Sequence, residues 1–155
     1  MYSGQLIDLL NKDQHSRKIF CGVKALDQVP RHRVRRPCAF VVNTHTSDQS
    51  GEHWFGEFVP RRWPIEYFDT YARRPGEKQI FNFFQNIGKN FVHNHKRIQS
   101  DKSKNCGPFT LLYICFRSRG YTMQRYLKFF SNTDFEYNDK LIESLLRKIQ
   151  SKTMF

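Results

Sequence analysis

Four polar residues with complementary chemistry lie in the middle of the chain: His53, Asp69, Gln99 and Cys106. A thiol and an imidazole make a nucleophile and its base, a carboxylate orients the imidazole, and an amide donates to a developing oxyanion. Together they are the parts of thiol-based acyl transfer. Each has an ordinary explanation when taken alone, because a Cys is often a buried small hydrophobe and a His or Gln is often a solvated surface residue.

The position of Cys106 favours a reactive thiol. Residues 107–119 are apolar almost all round and predict a buried central helix that ends at Gly120. Pro108 is compatible with the first turn of this helix. The free amides and the positive dipole at a helix N-terminus favour a thiolate, and a neighbouring imidazolium favours it further.

A predicted hairpin brings the base to the residue that orients it. Residues 53–59 and 63–71 have the composition of two strands, and the turn 60–62 separates them. His53 lies near the start of the first strand and Asp69 near the end of the second. Antiparallel pairing would therefore place both residues at the same edge of the sheet.

The other segments complete a predicted α+β fold, in which a small, mainly antiparallel sheet is flanked by helices. Further strands are expected at 18–23, 38–42 and 91–99, and further helices at 4–12, 76–87, 122–131 and 138–151. The expected boundary residues of these helices are Ser3, Pro75, Gly88, Thr122 and Asn138. The length of 155 residues predicts a single domain over 1–155.

The bulk composition indicates a globular protein with an acidic partner. The formal net charge is +12 and the pI is about 9.8, which favours nucleic acid first and an anionic membrane surface or acidic protein second. The sequence has no apolar run of membrane-spanning length and no signal-peptide pattern, so we expect an intracellular protein that is not secreted.

Its four cysteines include no C-x-x-C pair, so neither a zinc site nor disulfides are expected. Cys38 and Cys115 lie in apolar runs and are expected to be buried, whereas no role is assigned to Cys21.

An ordered set of short motifs resembles the adenovirus-type cysteine protease family, adenain, which is related to the SUMO-deconjugating proteases. The order His before Cys separates this set from papain-like enzymes. The motifs are Cys38-Ala39-Phe40-Val41-Val42-Asn43-Thr44, Gly51-Glu52-His53-Trp54, Tyr67-Phe68-Asp69, and Gln99 with Cys106-Gly107-Pro108-Phe109.

This resemblance implies a role for each site residue. Cys106 would be the nucleophile and His53 the general base and acid. Asp69, where adenain carries Glu, would orient the imidazole. Gln99 and the backbone N–H of Cys106 would form the oxyanion hole, and Trp54 would shape the substrate cleft. The chemistry would need no metal or other cofactor.

The resemblance also implies a thiol endopeptidase that cleaves precursor proteins after small residues, at Gly-Gly or Gly-X-Gly sites. Such an enzyme would mature viral or virus-like particles, act as a monomer, and occur in the virion and the host nucleus. An activating peptide would not be attached as in adenain, because the corresponding stretch 86–89 contains no Cys.

DNA is an expected activator, bound without sequence specificity and in a salt-sensitive manner. The candidate phosphate contacts are Arg31, Arg33, Arg35, Arg36, Arg61, Arg62, Arg73, Arg74, Lys96, Arg97, Lys102 and Lys104.

Two alternative functions remain open. A deubiquitinating or SUMO-removing isopeptidase would use the same residues at Gly-Gly tails. A non-catalytic, basic nucleic-acid-binding protein would explain the charge but not the ordered His, Asp, Gln and Cys.

Overall fold

The core of the fold is a five-stranded sheet whose spatial order follows the chain, β1-β2-β3-β4-β5. The computed structural model describes residues 3–30, 34–44, 53–62, 64–76, 78–87 and 90–153. The strands are β1 (Phe20–Lys24), β2 (Cys38–Asn43), β3 (Trp54–Val59), β4 (Ile65–Phe68) and β5 (Phe91–His93). The three central strands are antiparallel, as predicted, whereas β1 and β5 add a parallel pair at each edge.

Helices cover both faces of this sheet, which confirms the predicted fold class. They are α1 (Ser3–Lys12), α2 (Lys78–Ile87), α3 (Cys106–Ser118), α4 (Met123–Leu127) and α5 (Phe135–Thr153). Each predicted helix and strand is present, with shifted ends. None of the helices in the described part of the chain is long and apolar enough to cross a membrane.

The alternation of side chains along β2 separates two hydrophobic cores. Ala39 and Val41 face the core that contains α1, α3, α4 and α5. Phe40 and Val42 face a second core against α2. Because successive residues of a strand point to opposite faces, a strand with apolar residues at every position must be covered on both sides.

The parallel outer pairs follow from the connections that lead into them. A parallel partner requires a crossover connection instead of a tight turn. Residues 25–37 make this connection between β1 and β2, and residues 69–90, which include α2, make it between β4 and β5.

Helix α3 lies close against the middle of the sheet because β3 has a glycine where the helix crosses it. A Cβ atom at Gly56 would lie 3.1 Å from Cγ2 of Thr110 and 3.2 Å from Cδ1 of Tyr113. Both of these residues belong to the buried face of α3. The sheet therefore supports the helix that begins at Cys106.

Several boundary predictions were wrong. Helix α2 begins at Lys78, beyond the expected first turn at Pro75, and α4 ends at Leu127 instead of 131. The strand predicted to reach Gln99 ends at His93, because the next residue, Asn94, turns its side chain into the fold and hydrogen-bonds to the backbone of Asp69. Asn138 was expected to cap the last helix but lies inside it and is fully buried. Asp134 performs the capping, since its Oδ1 accepts from the Tyr137 N–H at 3.0 Å. The predicted stop at Gly88 lies outside the described residues.

Candidate active site

The β3–β4 hairpin places His53 beside Asp69, as its predicted register requires. His53 immediately precedes β3 and Asp69 immediately follows β4. The imidazole Nε2 lies 2.6 Å from the carboxylate Oδ1, and the side chains are 15% and 2% exposed, respectively. The short distance and the burial make this a strong interaction whose ring orientation is well defined.

The thiol of Cys106 is the second partner of the same imidazole. Burial alone would lower the pKa of His53, but hydrogen bonds to Asp69 and Cys106 and the charges of both groups outweigh it and raise the pKa to about 9. Because Asp69 engages Nε2, the nitrogen left for the thiol is Nδ1. A raised imidazole pKa favours the protonated ring, which can stabilise a negative charge on a neighbouring sulfur.

Cys106 is the first residue of α3 and is 6% exposed. The preceding residue, Asn105, does not cap the helix with its side chain. Its amide instead donates to Asp139 and Glu143, at 3.0 Å in each case. The sulfur therefore lies at an N-terminus that this side chain leaves uncapped, where the helix dipole favours negative charge.

The carboxylate of Asp69 is held from several sides. Its backbone N–H donates to Asn94 Oδ1 at 2.9 Å, and Asn94 Nδ2 donates back to the Asp69 carbonyl at 2.6 Å. The N–H groups of Tyr71 and Arg73 donate to its two carboxylate oxygens at 3.3 and 3.2 Å. These bonds hold the carboxylate towards His53.

Gln99 is buried, 1% exposed, and its amide is oriented at both ends. Its Oε1 accepts from Thr70 Oγ1 at 2.5 Å. Its Nε2 donates to the Ser103 carbonyl at 3.0 Å and lies 3.3 Å from Ser103 Oγ. The longer of these contacts is the one that a stronger acceptor, such as a substrate oxyanion, would most easily replace.

An aromatic ring covers the imidazole. The Tyr71 ring centroid lies 5.2 Å from that of His53, and the Tyr71 hydroxyl donates to the Ser100 carbonyl at 3.3 Å. The guanidinium groups of Arg73 and Arg97 lie 4.7 and 5.5 Å from the same ring centroid. Trp54, the predicted cleft residue, is partly buried and packs against the core that contains α3.

The candidate DNA contacts fall into three groups. The exposed ones are Arg35, Arg61, Arg62, Arg73, Arg74, Lys102 and Lys104. Three others are partly buried and bonded within the fold: Arg36 donates to the Pro60 carbonyl, Lys96 to the Leu127 and Phe130 carbonyls, and Arg97 to the Gln99 carbonyl and Asp101. Arg31 and Arg33 lie outside the described residues.

The remaining cysteines are free thiols. Cys38 and Cys115 are buried, as predicted. Cys21 is exposed, and a hydrogen bond with Cys38 outweighs partial burial and lowers the pKa of Cys21 to about 7. Within the described residues, no group of three His, Cys, Asp or Glu side chains is placed to hold a metal ion.

Sequence reasoning missed the residues that support this site, namely Thr70, Tyr71, Asn94 and Ser103. Thr70 and Tyr71 directly follow Asp69, and this adjacency was the only available signal. Asn94 and Ser103 act through contacts that no local pattern encodes.

Comparison with known proteins gives one group of relatives by sequence and another by structure. The chain is 31% identical over 115 residues to a SUMO-1 cysteine protease of African swine fever virus (isolate Pig/Kenya/KEN-50/1950), which covers 63% of this chain. The chain spans only 40% of the length of that relative. No protein-family model matches the chain.

Solved structures establish the fold. The SUMO protease Ulp1 superposes with a TM-score of 0.58 at 10% identity, over 100% of this chain and 79% of the other. The central domain of a Legionella pneumophila protein gives a TM-score of 0.57 at 13% identity, over 97% of each chain. The chain is therefore similar in sequence to a viral cysteine protease and shares the fold of the SUMO protease Ulp1.

Proposed function

We propose that this protein is a cysteine endopeptidase in which Cys106 is the nucleophile and His53 the acid and base. One observation carries the proposal: the same partly buried imidazole lies 2.6 Å from Asp69 on one side and interacts on the other with the thiol at the start of α3, and both partners raise its pKa. A base bonded to both its nucleophile and its orienting group is the geometry of an activated nucleophile.

Acylation begins with the Cys106 thiolate attacking the carbonyl carbon of the scissile peptide bond. The negative charge then moves to the carbonyl oxygen, which the Gln99 amide and the Cys106 N–H would stabilise. When the tetrahedral intermediate collapses, the C–N bond breaks and the His53 imidazolium transfers its proton to the leaving amine. The acyl group remains on sulfur as a thioester.

Deacylation uses the same groups in reverse order. Neutral His53 takes a proton from water, the resulting hydroxide attacks the thioester carbonyl, and the C–S bond breaks. The proton returned to the imidazole restores the ion pair with the thiolate. Asp69 stabilises the imidazolium at both stages and keeps the ring in a single orientation.

The proposed substrates are precursor proteins cut after small residues, at Gly-Gly or Gly-X-Gly sites, during maturation of viral or virus-like particles. Two bulky rings near the base support a narrow cleft that favours glycine: Trp54, which follows His53 in the chain, and Tyr71, which covers its imidazole. We propose that the monomer acts in the virion and the host nucleus.

Turnover of a Gly-Gly-containing peptide by two single-cysteine variants tests the proposed function. Cys106→Ala should lose several orders of magnitude in kcat/KM because it lacks the nucleophile. Cys21→Ala, which removes an exposed thiol outside the site, should retain wild-type turnover. Substantial peptide cleavage by Cys106→Ala would contradict the proposal.

A SUMO- or ubiquitin-removing isopeptidase is the second candidate, favoured by the name of the viral relative, SUMO-1 cysteine protease. The same catalytic residues would serve both functions. Comparing kcat/KM for a precursor peptide and for a ubiquitin-like protein with a Gly-Gly tail decides between them. A clear preference for the tailed protein would favour this candidate.

We also propose that DNA stimulates the protease through non-specific phosphate contacts. The net charge of +12 and the exposed arginines support this. Binding should weaken by about tenfold or more between low and moderate salt. Affinity for DNA that does not change with salt would contradict it, and DNA binding without any peptide turnover would favour a non-catalytic protein.

A further inference from the structure

The segment that joins the proposed oxyanion donor to the nucleophile is held by a helix that carries none of the proposed catalytic residues. We call residues 99–106 the oxyanion loop. The loop has irregular structure until α3 begins at its last residue. Backbone bonds from the Gln99 N–H to the Thr70 carbonyl and from the Ser103 N–H to the Ser100 carbonyl hold part of it. The rest of its conformation depends on side-chain contacts, because no helix or strand hydrogen bonds define most of the loop.

Ser103 is the centre of these contacts. Its carbonyl accepts from Gln99 Nε2 at 3.0 Å, and its Oγ lies 3.3 Å from the same nitrogen. The same Oγ accepts from the Asn105 N–H at 3.1 Å. Ser103 thus sets both the direction of the Gln99 amide and the path of the backbone into Cys106.

Asp139 on α5 holds Ser103 in place. The Ser103 hydroxyl donates to Asp139 Oδ1, and the Asn105 side-chain amide donates to the same oxygen at 3.0 Å. One carboxylate oxygen therefore binds two residues of the oxyanion loop. Glu143, one turn further along α5, is exposed and accepts from the Asn105 amide at 3.0 Å.

Asn138, the residue before Asp139, holds the chain just before the oxyanion loop. Asn138 is fully buried, and its Nδ2 donates to the Ile98 carbonyl at 3.0 Å and to the Ser131 carbonyl at 2.7 Å. Helix α5 packs through Ile142 into the core that also contains α1, α3 and α4. Two adjacent residues of α5 thus hold the chain on both sides of Gln99.

We propose that Asp139 is a positioning residue for acyl transfer: through Ser103 and Asn105 it holds the Gln99 amide and the Cys106 N–H in place for the oxyanion. This inference rests on the proposed protease function. Asp139 touches neither the substrate nor the imidazole, so its loss should weaken stabilisation of the tetrahedral intermediate and leave the thiolate–imidazolium pair intact.

The test compares Asp139→Ala, Asp139→Asn and Glu143→Ala, all in a Cys21→Ala background, which removes the exposed thiol that would otherwise compete with Cys106 for the reagent. Asparagine retains an Oδ1 acceptor for Ser103 and Asn105. Two reactions are measured: peptide turnover, which passes through an oxyanion, and alkylation of Cys106 by iodoacetamide, which displaces iodide at a saturated carbon and forms no oxyanion. Thermal unfolding reports whether each variant is folded.

We expect Asp139→Ala to lower kcat by about 10- to 100-fold with KM nearly unchanged. A misplaced Gln99 amide should reduce kcat by at most as much as deletion of that hydrogen-bond donor would. The alkylation rate of Asp139→Ala should stay within about twofold of the background, as should both rates for Glu143→Ala. Asp139→Asn should restore kcat to within about fivefold.

Three results would overturn the inference. Unchanged kcat in Asp139→Ala would show that α5 does not position the donor. An equal loss of turnover and alkylation would show a general disturbance of the site, as would a loss in Asp139→Asn as large as in Asp139→Ala. If Asp139→Ala does not fold, Ser103→Ala replaces it with the same two expectations. A parent chain that alkylates at Cys106 but cleaves no peptide would instead refute the proposed function, and the inference with it.

Discussion

The Thr70 hydroxyl donates to Gln99 Oε1 at 2.5 Å, although the two residues lie 29 positions apart. Thr70 directly follows Asp69, and its carbonyl also accepts from the N–H groups of Ile98 and Gln99, at 2.9 and 3.4 Å. A single residue therefore connects the carboxylate proposed to orient the base to the amide proposed as the oxyanion donor. With Oε1 bonded to Thr70, the amide nitrogen is directed away from it, towards Ser103.

Replacing Thr70 by valine should slow catalysis by about 10-fold, mainly in kcat, since the Gln99 amide loses the donor that fixes its orientation. Thr70 is fully buried, so valine fits the space but leaves Oε1 without this donor, at a cost of roughly 1–3 kcal/mol in the free energy of unfolding. Peptide kinetics and denaturant unfolding measure the two effects. Thr70→Ser keeps the hydroxyl and should restore kcat, and wild-type kcat in Thr70→Val would show that Gln99 needs no such anchor.

The pH profile of kcat/KM should fall on the alkaline side near pH 9. Hydrogen bonds to Asp69 and Cys106 overcome burial and raise the pKa of His53 from 6.5 to about 9. Above that pH the imidazolium loses the proton it gives to the leaving amine. The free energy of unfolding should change in the same direction. The stabilisation from protonated His53 and its partners is complete below pH 6.5 and is lost as the pH rises through 9.

Asp69→Ala is the matched variant for this pH dependence. It removes a bond that raises the pKa of His53 while burial continues to lower it, so the alkaline limb should move down by about one unit or more. Residual activity should also be lower at every pH because the ring is less well oriented. An alkaline limb at the same pH in both proteins would mean that another group controls it.

Thiol labelling of the wild-type protein should not be confined to the proposed nucleophile. Cys21 is exposed, and its hydrogen bond with Cys38 overcomes partial burial and lowers the pKa of Cys21 to about 7. Iodoacetamide at pH 7.5 should therefore modify Cys21 as well as Cys106, as peptide mass mapping would show. Cys21→Ala should abolish one of the two modifications and leave Cys106 alkylation unchanged. Modification of Cys106 alone in the wild type would refute this prediction.

The contact between His53 and Asp69 was predictable because it depends on local information. Alternating side chains and a short turn define the hairpin, and the hairpin register brings its two ends together. The contact between Ser103 and Asp139 spans 36 positions and depends on how α5 packs on the rest of the fold. No periodicity encodes that packing. Asn138 illustrates the same limit, since its residue type and position suit a helix cap whereas its buried contacts place it inside α5.

Glu57 should make the protein less stable as the pH rises from acidic to mildly alkaline. It is fully buried on β3, neither carboxyl oxygen has a hydrogen-bond partner among the described residues, and burial raises its pKa from 4.5 to about 8. Between these values the unfolded chain releases a proton that the folded chain retains, so stability falls by roughly 3–5 kcal/mol across the interval.

Glu57→Gln removes this ionisation and should be the more stable protein at pH 8 but not at pH 4.5. Denaturant unfolding at the two pH values measures the difference. Glu136→Gln serves as the control, because Glu136 is exposed in the first turn of α5. It should gain no stability at pH 8. A Glu57→Gln protein with the same pH dependence as the wild type would show that this carboxyl is solvated.

Gly56→Ala should separate the helix that begins at Cys106 from the sheet that carries His53. The new methyl group would lie 3.1 Å from Thr110 and 3.2 Å from Tyr113, so α3 must shift by a few tenths of an ångström. We expect a loss of about 1–3 kcal/mol in the free energy of unfolding from overpacking. Peptide turnover should fall as well, since the sulfur moves relative to the imidazole.

Gly76→Ala is the matched control, because a methyl group there would have no atom within 4 Å, and it should change neither quantity. Equal stability and turnover in the two variants would mean that the close approach of α3 to β3 does not set the distance between thiol and base.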